Sequence, residues 1–135
     1  MQTRLFQYTA IIFALLLSAC ANQQVAVSER IKLESAKAAD SATFTPKQAI
    51  EDATKQLAEA TEQDLDFYSP LHLSQAKESI EEAKNYLLEP PKKIKNAALM
   101  SAIAAQRFIS DAHKNKATVL TTLKKTFSHQ QILIE

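Results

Sequence analysis

Apolar side chains recur every three or four residues along most of the chain that follows Thr45. A period of 3.6 residues places such a stripe on one face of an α-helix that packs against a neighbour. The stripes predict three helices, over about residues 46–67, 70–89 and 92–127. The residues that form them are Ile50, Ala53, Leu57 and Ala60; then Leu73, Ala76, Ile80, Ala83 and Leu87; then Ile94, Ala98, Ala105, Ala112, Val119 and Leu123.

Polar residues and prolines mark where these helices begin and end. Thr45, Pro46 and Gln48 have the spacing of a capping box with proline in the first turn. Pro70 disfavours helix at Ser69, which can cap the following helix, and Glu89-Pro90-Pro91 ends that helix. Residues 28–39 could form a short additional helix, although their apolar face is thin.

The third predicted helix has apolar residues on more than one side. Leu99, Met100 and Ile103 lie away from its main stripe. A helix that is apolar all round is buried on several sides or presents a surface for self-association or for another envelope protein. We therefore predict an all-α fold, either an extended antiparallel helical hairpin or a three-helix bundle. Leu99, Met100 and Ile103 are the first candidate interaction surface.

The composition argues against enzymatic chemistry. The chain contains no glycine, which phosphate-binding loops and nucleophile elbows require. His72, His113 and His129 have no second ligand at helical spacing. We predict neither an enzyme nor a protein with a metal or cofactor.

Charge is divided between two halves of the chain although the net charge is only +1. Residues 47–89 carry ten acidic and four basic side chains, net −6, whereas residues 90–135 carry eight basic and two acidic, net +6. Either two antiparallel arms neutralise each other, or one face serves a charged partner. Lys92, Lys93 and Lys95 fall in the predicted first turn of the last helix, where the helix dipole disfavours cations. They would pair with the acidic arm or bind anionic lipid or cell-wall polymer; we expect no nucleic acid.

Residues 1–19 have the organisation of an export signal. Arg4 precedes a short apolar run, Thr9 to Leu17, and small residues follow it. The run is about half the roughly 20 apolar residues that a spanning helix needs. Residues 1–19 are therefore predicted to be cleaved.

The end of this segment, Leu17-Ser18-Ala19-Cys20, resembles the lipobox of bacterial lipoproteins. The resemblance implies cleavage between Ala19 and Cys20 and acylation of Cys20, the single cysteine. Two or three acyl chains would anchor the protein stably. The alternative is a soluble secreted protein with one unpaired cysteine. Ala21-Asn22 lacks the aspartate that often signals inner-membrane retention, so we expect the periplasmic side of the outer membrane, with residues 20–44 forming a tether and the short helix.

The segment "YSPLHLSQAKESIEEAKNYL" and the later "FISDAHKNKA" resemble alanine-rich helical domains of bacterial envelope lipoproteins whose function is unassigned. The matching residues, within Leu65 to Thr118, are Tyr68, Pro70, Ala76, Ala83, Ala105, Asp111 and Ala112. Pro90-Pro91 replaces the turn glycine of that pattern. Such domains often precede an OmpA-like peptidoglycan-binding domain, which we do not expect in the residues that follow Thr118.

These features together predict a role without predicting a partner. We expect residues 45–130 to act as a structural or protein-interaction module of the cell envelope. The alternative is an envelope-polymer or anionic-lipid binding module that uses the basic last helix; peptidoglycan binding has no specific support in the sequence.

Overall fold

The computed structural model describes residues 29–132 apart from Lys93 and Lys95. Within these residues the chain forms five helices and no strands. They are α1 (29–41), α2 (Pro46–Glu62), α3 (Leu65–Tyr68), α4 (Pro70–Leu88) and α5 (Ala97–Ile132). The predicted all-α class is confirmed.

The capping box predicted at the start of α2 is present. The Gln48 backbone N–H donates to Thr45 Oγ1 at 3.3 Å, and the Thr45 backbone N–H donates to Gln48 Oε1 at 3.0 Å. Pro46 occupies the first turn, where its missing backbone N–H removes no hydrogen bond of the helix. Local sequence is therefore sufficient to fix where α2 begins.

The other helix boundaries differ from the predicted ones at two residues with positive φ. Asp64 (φ 57°) separates α2 from α3, so the first long helix ends at Glu62 and not at residue 67. Asn96 (φ 55°) precedes α5, which begins at Ala97 and not at residue 92. In a chain without glycine, Asp and Asn are the residues that enter the left-handed region at the lowest cost.

The four long helices alternate in direction around a shared core. Ala49 and Ile50 at the start of α2 pack against the start of α5, as do Ala39 at the end of α1 and Ala83 at the end of α4. At the opposite end, a second cluster joins Ile31 of α1, Ala60 of α2 and Leu73 of α4 to Phe108, Ile109 and Ala112 of α5. This is the up-down-up-down arrangement of a four-helix bundle. Helix α1 is its fourth member, in addition to the three long helices that the sequence predicted.

Helix α5 is the central element, which is one of the two alternatives that its all-round apolar pattern left open. It contributes residues to all three core clusters. The middle cluster consists of Ala53, Ile80 and Ala105, with Leu57 packed against it. Alanine at these contacts allows the helix axes to approach closely.

Helix α5 is also about twice as long as its partners. Its 36 residues extend about 54 Å, whereas the 19 residues of α4 extend about 28 Å. The last α5 residue in the core clusters is Ala112, so a long C-terminal part of α5 continues beyond the bundle.

Candidate functional surfaces

The predicted interaction surface around Leu99 is wrong, because two of its residues belong to the core. Leu99 is 4% and Ile103 7% exposed, and Met100 is half-buried. They pack against Ala39, Ala49, Ile50 and Ala83. The apolar residues on the second side of α5 are thus accounted for by burial among several helices, of which α1 is one.

Several other predicted site residues lie outside the described residues. These are the signal segment 1–19 with Ala19, the acylation site Cys20, the tether up to residue 28, Lys93, Lys95 and the side chain of His129. Lys92 is exposed in the connector before α5, so it does not face a helix N-terminus as predicted.

The part of α5 beyond the bundle is an apolar and exposed surface. We call residues 117–132 the α5 extension. Leu120 is 43%, Leu123 44% and Phe127 64% exposed, and their 3-4 spacing places them on one face of the helix. Val119 beside them is half-buried. Exposed large apolar residues on one helical face are typical of a docking surface.

The base of the extension is held by polar contacts with the turns around α3. Asn115 Nδ2 donates to the Tyr68 carbonyl at 3.1 Å and to Ser69 Oγ at 3.2 Å. Lys116 Nζ donates to the Gln63 carbonyl at 2.5 Å and lies 5.1 Å from the centre of the Tyr68 ring. These contacts fix the direction in which the extension leaves the bundle.

Ser69 therefore has a different role from the predicted cap. It occupies the N-cap position of α4, but its side chain makes no capping hydrogen bond. Its hydroxyl is 2.8 Å from His72 Nδ1 and accepts from Asn115. The buried serine thus joins the turn before α4 to α5.

The bundle end at the base of the extension is acidic and has an exposed aromatic ring. Residues 59–66 contain Glu59, Glu62, Asp64 and Asp66 and no basic residue. Phe67 is 81% exposed and contacts Tyr68 edge-to-face, with ring centroids 5.2 Å apart. By contrast, residues 113–132 contain four lysines and no acidic residue.

Among the described residues, no ion pair joins the two oppositely charged segments. Four ion pairs occur between described residues. Three lie within single helices, and the fourth joins Arg107 of α5 to Glu34 of α1. Since Lys116 binds a neutral carbonyl, the acidic segment 47–89 and the basic C-terminal segment pack together without ion pairing between described side chains.

A polar cleft of about 570 Å³ lies between α1, α4 and α5. Its walls include Lys32, Gln75, Glu78 and Asn85, together with Glu82. Both Glu82 oxygens are engaged: Tyr86 donates to one at 2.9 Å and Ser101 to the other at 2.8 Å. The Ser101 bond links α5 to α4, whereas the Tyr86 bond lies within α4, so both Glu82 oxygens serve structural contacts.

The same contacts alter the acidity of the tyrosine. The hydrogen bond to Glu82, the negative charge of that carboxylate and burial all raise the pKa of Tyr86 above its ordinary value. A phenol with a raised pKa stays protonated near neutral pH, and it then acts as a hydrogen-bond donor. Tyr86 therefore donates its hydrogen bond to Glu82 at neutral pH.

A second groove, of about 280 Å³, lies between α1 and α5. Arg30, Glu34, Arg107, Asp111 and Lys114 line it, and most of these side chains are paired: Arg107 with Glu34, and Lys114 with Asp111 at 2.6 Å. Within the described residues, no group of three histidine, cysteine or carboxylate side chains is placed to share a metal ion. The α5 extension is therefore the strongest candidate surface.

The chain was compared with protein-family models, with curated proteins and with solved structures. No family model matches it, and neither a curated protein nor a solved structure shows significant similarity. No helix among the described residues is long and apolar enough to cross a membrane.

Proposed function

We propose that this protein is a lipid-anchored protein of the bacterial envelope that acts as a protein-interaction module through the α5 extension. The observation that supports the interaction role is the exposed apolar face formed by Leu120, Leu123 and Phe127. This face lies on the part of α5 that extends beyond the bundle. A single helix with one apolar face gains stability when that face is covered.

The anchor is supported by the sequence "LLLSAC" and would place the bundle at a membrane surface. The proposed site is the outer membrane on its periplasmic side. With Cys20 acylated, residues 21–28 are the tether that separates the bundle from the lipid.

Membrane fractionation tests the anchor. Wild-type protein should sediment with membranes and resist extraction by high salt, whereas Cys20→Ala should be released. Continued salt-resistant membrane association of Cys20→Ala would contradict the acylation proposal.

Photo-crosslinking in intact cells tests the interaction role. A photoreactive amino acid replaces Leu123 in the full-length chain, and the same probe replaces Leu88 as a matched control. Leu88 is 81% exposed and lies at the opposite end of the bundle, so the probe there does not disturb the core. The proposal predicts a protein adduct from the Leu123 probe and none from the Leu88 probe; absence of any protein adduct at Leu123 contradicts it.

The second candidate is binding of anionic lipid or envelope polymer by the same basic helix. It is favoured by the four lysines of residues 113–132 next to an exposed apolar face, the composition of helices that lie at a membrane interface. Salt-sensitive co-sedimentation with anionic vesicles, lost in Lys124→Gln/Lys125→Gln, would support this function instead. The same co-sedimentation measurement on Lys92→Gln tests whether the lysine in the connector before α5 contributes to vesicle binding.

A further inference from the structure

We infer that the partner of the α5 extension is a different protein held at the same membrane as Cys20, with an apolar groove bordered by carboxylates that receives Leu120, Leu123 and Phe127. The inference rests on the proposed function, because it requires both the acylated Cys20 and the extension as the docking surface. It adds where the partner is located and what surface the partner presents. A freely soluble protein and the lipid itself are outcomes of the test.

The chain enters the bundle at the end from which the extension leaves. Ile31, in the first turns of α1, belongs to the same core cluster as Ile109 and Ala112 of α5. Ala39, near the end of α1, packs with Leu99 at the opposite end of the bundle. Helix α1 is therefore antiparallel to α5, and it begins near the base of the extension.

The length of the tether limits how far the extension can lie from the lipid. The nine residues 20–28 span at most about 30 Å, however they are arranged. Leu123 is eleven residues beyond Ala112, about 17 Å along the helix axis, and neighbouring helix axes are about 8–10 Å apart. Together these lengths keep the exposed apolar face within about 50 Å of the lipid in any orientation of the bundle. Had α1 begun at the other end, the length of the bundle would be added to this distance.

The spacing of the apolar face is that of a helix which docks into a groove. Leu120, Leu123 and Phe127 occupy positions i, i+3 and i+7, the anchors with which an amphipathic helix fills an apolar groove of a partner protein. Thr122 and Thr126 are interspersed with these anchors, and each donates its hydroxyl to the carbonyl four residues earlier, at 2.9 and 3.0 Å. Covering this segment therefore leaves neither hydroxyl without a hydrogen bond.

Two exposed lysines indicate the charge of the groove's border. Lys124 and Lys125 directly follow Leu123, and neither takes part in the four ion pairs between described residues. Residues 117–132 contain no acidic side chain. Because opposite charges across an interface select the partner and its orientation, a groove that matches this segment has carboxylates at its border.

The small size of the face argues for a partner held at the same membrane. One side of the 16-residue extension presents about eight residues, whereas a standard stable interface uses about 20–30 residues on each side. A contact of this size is weak, so a freely diffusing partner would occupy it only at high concentration. Two proteins confined to one membrane meet at a high effective concentration, and a small interface is then sufficient.

Photo-crosslinking with and without the anchor tests the inference. The photoreactive amino acid is placed at Leu123 in the full-length chain and in its Cys20→Ala variant, and at Leu88 in both as the control. Leu88 is 81% exposed and lies at the opposite end of the bundle. We expect a Leu123 adduct with a protein that sediments with the membrane even in cells lacking this chain. The yield of that adduct from Cys20→Ala should be at least tenfold lower.

Charge substitution tests the border of the groove. Lys124→Glu/Lys125→Glu should reduce the Leu123 adduct several-fold, whereas the matched control Lys124→Arg/Lys125→Arg keeps both charges and should retain the yield. Equal yields from these two variants would overturn the carboxylate-bordered groove.

The outcomes separate this inference from the proposed function. A Leu123 adduct with a soluble protein, formed equally from Cys20→Ala, overturns the membrane-held partner and leaves the interaction module standing. A lipid adduct without a protein adduct, or no adduct at Leu123, overturns both. An adduct formed equally from Leu88 overturns the extension as the docking surface. If Cys20→Ala stays on the membrane, the anchor is overturned and this inference with it.

Discussion

Replacing Leu99 with alanine should destabilise the protein strongly, although the sequence pattern alone left open whether Leu99 belongs to the core or to an interaction surface. Leu99 is 4% exposed and packs among Ala39, Ala49, Ile50 and Ala83. Its side chain therefore fills space between α5 and three other helices.

The magnitude follows from the carbon atoms removed and the hole they leave. Leu→Ala removes three carbons, and their transfer from water accounts for about 2.4 kcal/mol at roughly 0.8 kcal/mol per buried CH₂. Neighbouring alanines have no side-chain freedom with which to fill the space, so a cavity term adds to this loss, and we expect a total of about 3 kcal/mol. For a folded domain of this size, a loss of about 3 kcal/mol corresponds to a decrease in Tm of about 12–24 °C.

Urea unfolding of the purified protein, followed by the helical circular dichroism signal, measures the free energy of unfolding. The matched control is Leu33→Ala, the same substitution on α1 at a side chain that is 62% exposed. We expect the control to change the free energy of unfolding by less than about 1 kcal/mol. If Leu99→Ala proves as mild as Leu33→Ala, the packing of α1, α2 and α4 around this part of α5 is refuted.

Three further predictions concern single contacts of the bundle. Thr45→Ala should lower the free energy of unfolding by about 1 kcal/mol because the capping box is lost, whereas Thr43→Ala in the exposed connector should have little effect in the same urea assay. Ser35→Ala should raise the urea midpoint by an amount equivalent to about 1 kcal/mol, because the buried Ser35 Oγ has no hydrogen-bond partner among the described residues; a lower midpoint would contradict this. Since Glu82 raises the pKa of Tyr86, the protonated phenol stabilises the folded state below pH 10.0, and this contribution is lost as the pH rises through the raised value. Tyr86→Phe should therefore flatten the decline in stability above pH 10.0, as measured by thermal unfolding at a series of pH values.

Local sequence determined the helical class and the start of α2. Apolar spacing of three and four residues, the absence of glycine and the capping box at Thr45 each depend on nearest neighbours along the chain, so they can be recognised without knowledge of tertiary contacts. A central position of α5 was one of two predicted alternatives, because apolar residues on several sides of a helix need either several neighbours or an association surface.

Boundaries that depend on single backbone conformations were less predictable. Asp64 and Asn96 interrupt the helices although neither forbids helix as proline does. Their left-handed conformations are retained because the flanking helices must turn to reach their packing partners. The stabilising contacts in that packing join residues that are far apart in the sequence, so the local sequence does not reveal them.

Only the tertiary structure decided which apolar residues are buried and which are exposed. Leu99 and Leu123 are both leucines on the apolar faces of α5, and periodicity does not distinguish them. Leu99 lies where α1, α2 and α4 surround α5, whereas Leu123 lies beyond Lys116, past the base of the extension at the turns around α3. Helix length and the directions of the neighbouring helices set that difference, since burial depends on what lies opposite a residue and not on the residue alone.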